Sequence, residues 1–353
     1  MEGLRGLAVF LVFLVHFLDH MHPFMQAGSL LSRVLEFMTP IGHTGVDLFF
    51  VLSGYLIYGS LIAKPRPFIP YMARRIQRIY PAFLAVFVIY LLLSIAIPSR
   101  SKIPEGILEG AGFLLGNLFL LPGLFPLPAL ITVAWSLSYE MFYYLIIPMI
   151  IGAMGLRGWS GRQRMALFAA LAIALIVYCA LRGGHVRLVM FIAGIVLFEL
   201  GLDKSIGKIR SLAVVICVLT AVTYTALRPS GSASYALQAL LLCLGYGVLC
   251  HGCFVRPSGF LPRLFQWTPL RWLGNMSYSF YLIHGLTLQA LAVVLFRVRL
   301  SAVSSAEGLA LFAAAFSLSF LVAVGLFLAI ERPLSLKLPS AALPIDGSLR
   351  ARN

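Results

Sequence analysis

Charged residues are scarce in this sequence. Asp, Glu, Lys and Arg make up 11% of its 353 residues, and hydrophobic residues make up 61%. Soluble globular proteins carry about 25% charged residues, so the composition excludes that class. The mean hydropathy is +0.96, and apolar stretches of about 17 to 25 residues, long enough to cross the hydrocarbon of a bilayer, recur along nearly the whole chain. The sequence therefore predicts an all-α, multi-pass membrane bundle.

Cysteine is also rare. All five cysteines lie in or beside apolar runs, which argues against a disulfide framework. Cys250 and Cys253 form one CxxC pair without a second pair, so we expect no metal site. The sequence contains no low-complexity tract and no obvious internal repeat. We therefore predict one membrane domain over residues 1–335 and a cytoplasmic tail over residues 336–353.

The apolar periodicity predicts ten spanning helices. They cover residues 3–20, 41–63, 79–97, 134–153, 165–182, 187–201, 211–228, 235–254, 276–296 and 307–330. The first run has no preceding basic region and no small-residue cleavage site, so we expect it to remain in the protein as a helix. Residues 107–121 are apolar but short and are followed by three prolines, which favours a re-entrant or interfacial segment.

The distribution of basic residues sets the predicted topology. The formal net charge is +15, and in a membrane protein this excess is expected in cytoplasmic loops rather than on a nucleic-acid surface. Ten spans with a cytoplasmic N-terminus place 19 of the 27 Lys and Arg residues on the inner face and eight on the outer face. A span at residues 107–121 would invert everything after it. We therefore predict ten spans and two cytoplasmic ends.

Four titratable side chains fall inside predicted spans: His16, Asp47, Glu140 and His284. Such groups cost about 2.5 to 3.5 kcal/mol in the membrane, so each needs a partner, an aqueous cavity or a function. The first three lie at a similar depth in the outer half, and His284 lies somewhat deeper. A packing role is the alternative for each residue alone, but their common depth favours a shared cavity.

Arg5 and His16 are eleven residues apart, which places them on nearly the same face of the first helix, about 16 Å apart along its axis. A substrate along this face could present an anionic end to Arg5 and a reacting end to His16. Arg5 could instead be an ordinary snorkelling anchor.

The first cytoplasmic loop contains the stretch YMARRIQRIYP, with Arg74, Arg75 and Arg78 on a short basic helix. Arg75 and Arg78 form an i, i+3 pair that can grip one phosphate group. The loop could also serve only as a topology determinant that binds anionic lipid. Three arginines within five residues also suit a nucleotide-bearing cosubstrate such as coenzyme A.

Six motifs together resemble the acyltransferase 3 family of membrane enzymes. They are RGLAVFLVFLVH, GVDLFFVLSGYLI, RRIQRIYP, WSLSYEMFYYLIIP, SYSFYLIHG and ERP, which appear in family order over essentially the whole chain. Family members move acetyl or other short acyl groups onto cell-surface polysaccharides and related acceptors. The resemblance therefore implies an acyl-CoA cosubstrate, a carbohydrate or glycolipid acceptor, and a bacterial cytoplasmic (inner) membrane location.

The resemblance also assigns residues to roles. It implies that His16 is the essential catalytic histidine, that Arg5 is its required companion, and that Arg75 and Arg78 match the family's RxxR pair on the acyl-CoA side. Other motif positions supply the remaining candidates for substrate binding: Ser53, Tyr139, Tyr281 and His284.

The predicted chemistry is acyl transfer, with His16 as a general base or as a transient acyl carrier. Asp47 or Glu140 would orient the imidazole, and Asp19, three residues after His16, is a nearer but more exposed candidate. The alternative is a proton-coupled transporter in which His16, Asp47, Glu140 and His284 form a relay. A transporter of this kind predicts inverted repeats, which the sequence does not show. Neither interpretation involves a metal or nucleic acid, and membrane lipids are the expected surroundings.

Overall fold

A computed structural model of the protein describes residues 1–202, 211–228, 230–255, 260–299 and 302–336. Within these ranges the chain is helical with short connections and has no β-strand, which confirms the predicted all-α class. The α-helices are α1 Glu2–Met21, α2 Leu30–His43, α3 Gly45–Ala63, α4 Phe68–Ala96, α5 Ile107–Leu118, α6 Trp135–Ala153, α7 Gly161–Arg182, α8 Leu188–Leu202, α9 Ser211–Ala226, α10 Ser232–Val255, α11 Phe260–Phe265, α12 Thr268–Asn275, α13 Ser277–Arg297 and α14 Ser305–Leu326. A π-helical segment, Phe327–Leu336, extends α14. The predicted tail, apart from residue 336, lies outside the described residues.

Eight helical stretches in the described part of the chain are long and apolar enough to cross a membrane. They are Glu2–Phe24, Leu30–Ala63, Phe68–Ala96, Thr132–Ala153, Gly161–Arg182, Ser232–Phe254, Ser277–Arg297 and Ser305–Leu336. The predicted spans at 187–201 and 211–228 correspond to α8 and α9, which are apolar but shorter. The protein is therefore a multi-pass membrane protein, while the total of ten spans and the orientation of both ends stay predictions.

The predicted span at 41–63 is preceded by another helix. α2 contains Pro40 and ends at His43, and α3 begins at Gly45. At the junction, the Thr44 hydroxyl donates to the Ile41 carbonyl at 2.6 Å and hydrogen-bonds the Tyr246 hydroxyl. The chain thus restarts its helix immediately before Asp47, which lies in the first turn of α3, where the helix dipole favours a negative charge.

The segment at 107–121 forms α5, whose 12 residues span about 18 Å, less than the roughly 30 Å of a bilayer core. The Tyr80 hydroxyl of α4 donates to the Leu118 carbonyl at 3.2 Å. Asn117 then holds the returning chain, because its side-chain amide donates to Pro128 and its oxygen accepts from the Leu130 amide. The segment is thus short and its chain folds back, while its re-entrant or interfacial placement in the membrane stays a prediction.

The centre of the bundle is α1, which packs against α2, α3, α12 and α13. Phe13 and Phe17 are fully buried. Their rings lie 5.2 Å from Phe316 and 4.9 Å from Phe312, respectively, both on α14. Arg5 and His16 are thus carried by a helix that is surrounded by packed neighbours, which limits how far either side chain can drift.

A buried ion pair joins three helices at the far end of α3. Arg164 of α7 contacts Glu199 of α8 in a two-pronged arrangement, at 2.7 and 3.0 Å. The Tyr58 hydroxyl of α3 donates to the same carboxylate. Glu199 is 3% exposed, so its charge is fully compensated inside the bundle, and we assign this cluster a structural role.

Candidate active site

A cavity of about 160 Å³ lies between α1, α3, α4, α6 and α13, and we call it the Arg5 cavity. Its walls combine aromatic and aliphatic side chains with a concentrated set of polar groups. The polar residues that line it are Arg5, Ser53, Arg75, Arg78, Ser136, Glu140, Tyr144, Ser277, Tyr278 and Tyr281. Most of these belong to the six family motifs, so residues far apart in sequence meet here.

Arg5 reaches this cavity from the first turn and a half of α1. Among the described residues its guanidinium forms no hydrogen bond and no ion pair. Glu140 and Glu331 attract its charge from a distance, and Arg78 repels it. A partly buried cation without a direct anionic neighbour is costly, so this position is suited to a bound anion.

Arg75 and Arg78, one turn apart on α4, are held in different ways. The Arg75 guanidinium lies 5.3 Å from the ring centre of Tyr71 and 5.1 Å from that of Tyr144. These aromatic faces attract the cation and do not use up its N–H donors, which remain available to a phosphate.

Arg78 instead pairs with Glu331 of the ERP motif, with Nη1 and Oε1 3.0 Å apart. Glu331 is completely buried, and its other oxygen accepts from the Ser279 backbone amide at 3.1 Å and hydroxyl at 2.5 Å. The π-helical segment after α14 therefore anchors Arg78 to α13. Arg74, the third predicted arginine, is exposed and does not line the cavity.

Glu140 lines the same cavity from α6. One of its oxygens accepts hydrogen bonds from the Ser53 hydroxyl at 3.1 Å and from the Tyr144 hydroxyl. Ser53, a predicted substrate-binding residue, is thus held by a predicted catalytic one. Both belong to the Arg5 cavity, and the structure gives Glu140 no hydrogen bond to His16.

Tyr281 marks the boundary of the cavity towards the other end of α1. Its hydroxyl lies 2.8 Å from the Ser136 hydroxyl and donates to the Val133 carbonyl at 3.1 Å. Its ring lies 6.1 Å from that of His284, which does not line the cavity. Tyr139 points elsewhere and hydrogen-bonds Nδ1 of His185 at 2.6 Å.

His16 and His284 form a pair beyond Tyr281, with ring centroids 5.2 Å apart. Nδ1 of the fully buried His284 lies 2.9 Å from the Phe280 carbonyl. A carbonyl only accepts hydrogen bonds, so this nitrogen carries a proton and Nε2 of the neutral ring is the acceptor. Nε2 has no hydrogen-bond partner among the described residues, so it is available to a reacting group.

The carboxylate beside His16 is Asp19, with Nδ1 and Oδ2 3.5 Å apart. Of the three orienting candidates, Asp19 is therefore the neighbour in the structure. Asp47 is 3% exposed and lies 3.8 Å from Nε of Arg187, in a second cavity. Arg5 and His16 share a helix, but His16 does not line the Arg5 cavity. The ring of His284 lies 5.2 Å from that of His16 and 6.1 Å from that of Tyr281, which does line it.

Two residues at these sites escaped the sequence reasoning. Tyr144 is part of the quoted WSLSYEMFYYLIIP motif, but only packing shows that it contacts both Glu140 and Arg75. Arg187 is one of the eight basic residues that the predicted topology places on the outer face, and its pairing with Asp47 joins residues 140 positions apart in sequence. Among the described residues, no three His, Cys, Asp or Glu side chains converge as metal ligands.

Comparison with known proteins identifies the family. Its acyltransferase domain profile matches residues 1–328. The candidate peptidoglycan O-acetyltransferase YrhL of Bacillus subtilis (strain 168) is 28% identical over 69% of this chain and 44% of its own length. The peptidoglycan O-acetyltransferase OatA of Listeria monocytogenes is 25% identical over 80% of this chain and 48% of its own length.

The exopolysaccharide production protein ExoZ of Rhizobium meliloti is 28% identical over 83% of this chain and 90% of its own length. This chain spans about half the length of the two peptidoglycan relatives it matches. No solved structure matches it. Because the profile covers nearly all the described helices and the six motifs occur in order, this chain belongs to the acyltransferase 3 family.

Proposed function

We propose that this chain is an integral-membrane O-acyltransferase of the bacterial cytoplasmic membrane. It moves an acyl group, with acetyl as the expected one, from acyl-CoA to a hydroxyl of a cell-surface carbohydrate or glycolipid. The relatives named as peptidoglycan O-acetyltransferases and as an exopolysaccharide production protein support this class of acceptor. The observation that carries the proposal is that α1 joins an arginine-lined cavity to a histidine pair.

The Arg5 cavity is the proposed donor site. Pockets for whole drug-sized ligands enclose about 300 to 1,000 Å³, so a cavity of about 160 Å³ is too small for complete acyl-CoA. It suits the acyl-pantetheine end, with a phosphate on Arg75 and Arg78 at the entrance. Arg74, outside the cavity, would then meet the donor only through its nucleotide portion.

The reaction takes place at His16. Its imidazole removes the proton of the acceptor hydroxyl, whose oxygen attacks the thioester carbonyl carbon. The carbon–sulfur bond breaks, the new ester forms, and the coenzyme A thiolate leaves and takes up the proton. Asp19 stabilises the imidazolium form that arises between these steps. Transfer through an acyl-histidine uses the same groups in two steps.

Tyr281 controls the passage between the two sites in this proposal. The thioester must pass Tyr281 and His284 to reach His16, so the Tyr281 ring swings aside when the donor enters. Its hydroxyl can then leave the Val133 carbonyl and donate to the developing oxyanion. Ser136 remains to satisfy the carbonyl, since its hydroxyl also donates to Val133 at 3.1 Å.

The transporter alternative requires a continuous proton relay through His16, Asp47, Glu140 and His284. Of these, only His16 and His284 are neighbours in the structure. Asp47 pairs with Arg187, and Glu140 accepts from Ser53 and Tyr144. The family and this separation both favour acyl transfer.

The first prediction concerns His16. Purified protein in lipid nanodiscs is incubated with radiolabelled acetyl-CoA and cell-envelope fractions, and label in the acceptor is counted. We expect His16→Ala to abolish labelling while its midpoint of thermal unfolding and its binding of acetyl-CoA stay close to the wild type. His22→Ala, an exposed histidine near the end of the same helix, is the matched control and retains activity. Full labelling by His16→Ala would overturn the mechanism.

The second prediction separates Arg75 from its neighbour Arg74. Loss of a charge-assisted hydrogen bond costs about 1.5 to 3 kcal/mol, so Arg75→Gln raises the KM for acetyl-CoA by roughly tenfold or more. Arg74→Gln, one position away but outside the cavity, has a smaller effect. Steady-state kinetics at varied acetyl-CoA concentration measure both. A larger effect of Arg74→Gln would move the donor site away from the Arg5 cavity.

A further inference from the structure

A second and larger cavity lies on the other side of α3, and we call it the Asp47 cavity. Its volume is about 640 Å³, and it lies between the junction of α2 and α3 and the ends of α8, α9 and α10. The residues that matter here are His43, Asp47, Arg187, Arg228, Tyr235 and Gln238. The size falls within the range of small-molecule sites, about 300 to 1,000 Å³.

Arg187 leaves most of its hydrogen-bonding capacity unused. Its Nε is 3.8 Å from Asp47 Oδ1, an ion-pair distance too long for a hydrogen bond. The guanidinium also lies 5.2 Å from the centre of the Trp135 ring. Among the described residues its side chain donates no hydrogen bond, so its N–H groups remain available inside the cavity.

Asp47 is also incompletely satisfied. It is 97% buried, since its exposed fraction is 3%, and its Oδ1 has no hydrogen-bond partner in the described part of the chain. A buried carboxylate oxygen without a donor is expensive. The hydroxyl of a ligand in the cavity would supply that donor.

The cavity carries more positive than negative charge. Arg228 adds a second guanidinium, and its one hydrogen bond among the described residues is a long contact of 3.4 Å to the Glu36 carbonyl. Arg187 and Arg228 line the same cavity as His43, and both act electrostatically on it. Two guanidinium groups therefore face one carboxylate, and the excess positive charge suits a ligand that carries a negative charge.

Arg187 and Arg228 both lie on the predicted outer face of the membrane. Under the predicted topology only eight of the 27 basic residues lie on the outer face. Two of the eight line this one cavity. Basic residues are normally scarce on the outer face of a membrane protein. Ligand binding would explain why Arg187 and Arg228 are found there.

His43 connects the Asp47 cavity with the catalytic residues. It lines the cavity and lies close enough to His16 and Asp19 to interact electrostatically with both. We therefore expect a sugar bound in this cavity to direct a hydroxyl towards His16. The two substrates would then meet at the histidine pair from different cavities.

We propose that the Asp47 cavity is the acceptor site and that it selects a sugar unit bearing an anionic group, either a carboxylate or a phosphate. Arg187 and Arg228 bind the anion, Asp47 accepts from a sugar hydroxyl, and the face of Tyr235 packs against the ring. This inference rests on the proposed acyltransferase function and narrows its acceptor class.

The test compares charged and neutral sugars of matched shape. Protein in nanodiscs of zwitterionic lipid is titrated with cellobiouronic acid and with cellobiose, and in a second arm with glucose 1-phosphate and with glucose. We expect the anionic member of at least one pair to bind tenfold or more tightly, and the pair that shows the difference identifies carboxylate or phosphate. Equal binding within both pairs would overturn the proposal.

Variants locate the binding to this cavity. Arg228→Gln leaves no buried carboxylate unpaired and is expected to fold, and we expect it to remove most of the preference for the anionic sugar. Arg187→Lys keeps the positive charge beside Asp47 and should weaken binding without loss of the fold. Arg182→Gln, an exposed arginine on the same predicted face but outside the cavity, is the control and should bind as the wild type does.

Two further readouts separate the possible outcomes. Competition for the anionic sugar by phosphatidylglycerol in the nanodisc would identify a lipid headgroup site and overturn the sugar assignment. Acetyl transfer is measured in the same samples. Anion-selective binding without any transfer would contradict the proposed function, whereas transfer to neutral sugars that is unaffected by Arg228→Gln would contradict only this inference.

Discussion

His16 has its carboxylate partner within its own helix. Asp19 is 3.5 Å away, one turn further along α1, and is about half exposed, at 54%. The i, i+3 spacing places both side chains on one helix face. Asp47 and Glu140, which are more deeply placed, serve other partners. The residue with the expected orienting role is thus the most exposed of the three, at the end of α1 that faces the predicted outer side.

The third prediction follows from this contact. Asp19→Asn keeps the shape of the side chain but removes its charge, so the imidazolium that forms during transfer loses stabilisation. We expect kcat to fall by roughly tenfold or more, in the direction seen when the carboxylate of a catalytic triad is neutralised, while the KM for acetyl-CoA changes little. Steady-state kinetics test this, with Glu36→Gln, another partly exposed carboxylate, as the control. An unchanged kcat would leave Asp19 without a role in the reaction.

At the scale of elements, α3 and α8 approach each other unusually closely, and the reason is visible in the motif GVDLFFVLSGYLI. A methyl group added to Gly54 would lie 2.1 Å from the Phe191 carbonyl oxygen. One added to Gly194 would lie 2.2 Å from the Val51 carbonyl oxygen. Small residues allow membrane helices to pack backbone against backbone. This contact holds α3, which carries Ser53 next to Gly54, against α8.

The fourth prediction tests this packing. Gly54→Ala forces α3 and α8 apart because the obstructing atom is backbone, which cannot rotate away. We expect a lower midpoint of thermal unfolding and a lower yield of folded protein. Gly152→Ala is the matched control: no atom lies within 4 Å of its added methyl group, and alanine favours a helix by up to about 1 kcal/mol over glycine. Equal midpoints of thermal unfolding for the two variants would show that the close contact between α3 and α8 does not require glycine at position 54.

At the scale of the whole molecule, the two cavities lie on different sides of α3. Asp47 lines one, whereas Val46, Phe49 and Ser53 line the other, which continues along α3 to Ile57. Under the predicted topology the Arg5 cavity faces the cytoplasm, where acyl-CoA is made, and the Asp47 cavity faces outward. The orientation of the whole bundle therefore decides which substrate reaches which cavity.

The fifth prediction tests this orientation by labelling single cysteines in a variant whose five native cysteines are replaced. Ala27→Cys precedes the segment at 107–121, and Gly158→Cys follows it; both positions are exposed. An impermeant maleimide should label Ala27→Cys in intact cells and Gly158→Cys only after the cells are permeabilised. Labelling of both in intact cells would indicate that the segment crosses the membrane and that the topology after it is inverted.

The amino-acid sequence by itself determined the class, most helices and the family of this protein. Hydropathy is a local property of a stretch of chain, and a membrane leaves few backbone structures other than the helix. The motifs are likewise continuous pieces of sequence. The depth of a residue in the membrane can also be estimated from the sequence, because each helical residue adds about 1.5 Å along the helix axis. This estimate places Arg5 and His16 at different depths.

The tertiary structure decided which polar residues are neighbours. Asp19, Asp47 and Glu140 were all candidates to orient His16. The i, i+3 spacing already placed Asp19 near it, whereas only the packing of the helices shows that Asp47 pairs with Arg187 and that Glu140 accepts from Ser53 and Tyr144. The same packing brings Arg75 into a cavity and leaves the adjacent Arg74 outside, and it joins Arg187 to Asp47. Sequence determines depth along a helix, whereas lateral contacts depend on how each helix is rotated and on which helix lies next to it, and that is settled by the packing of all the helices at once.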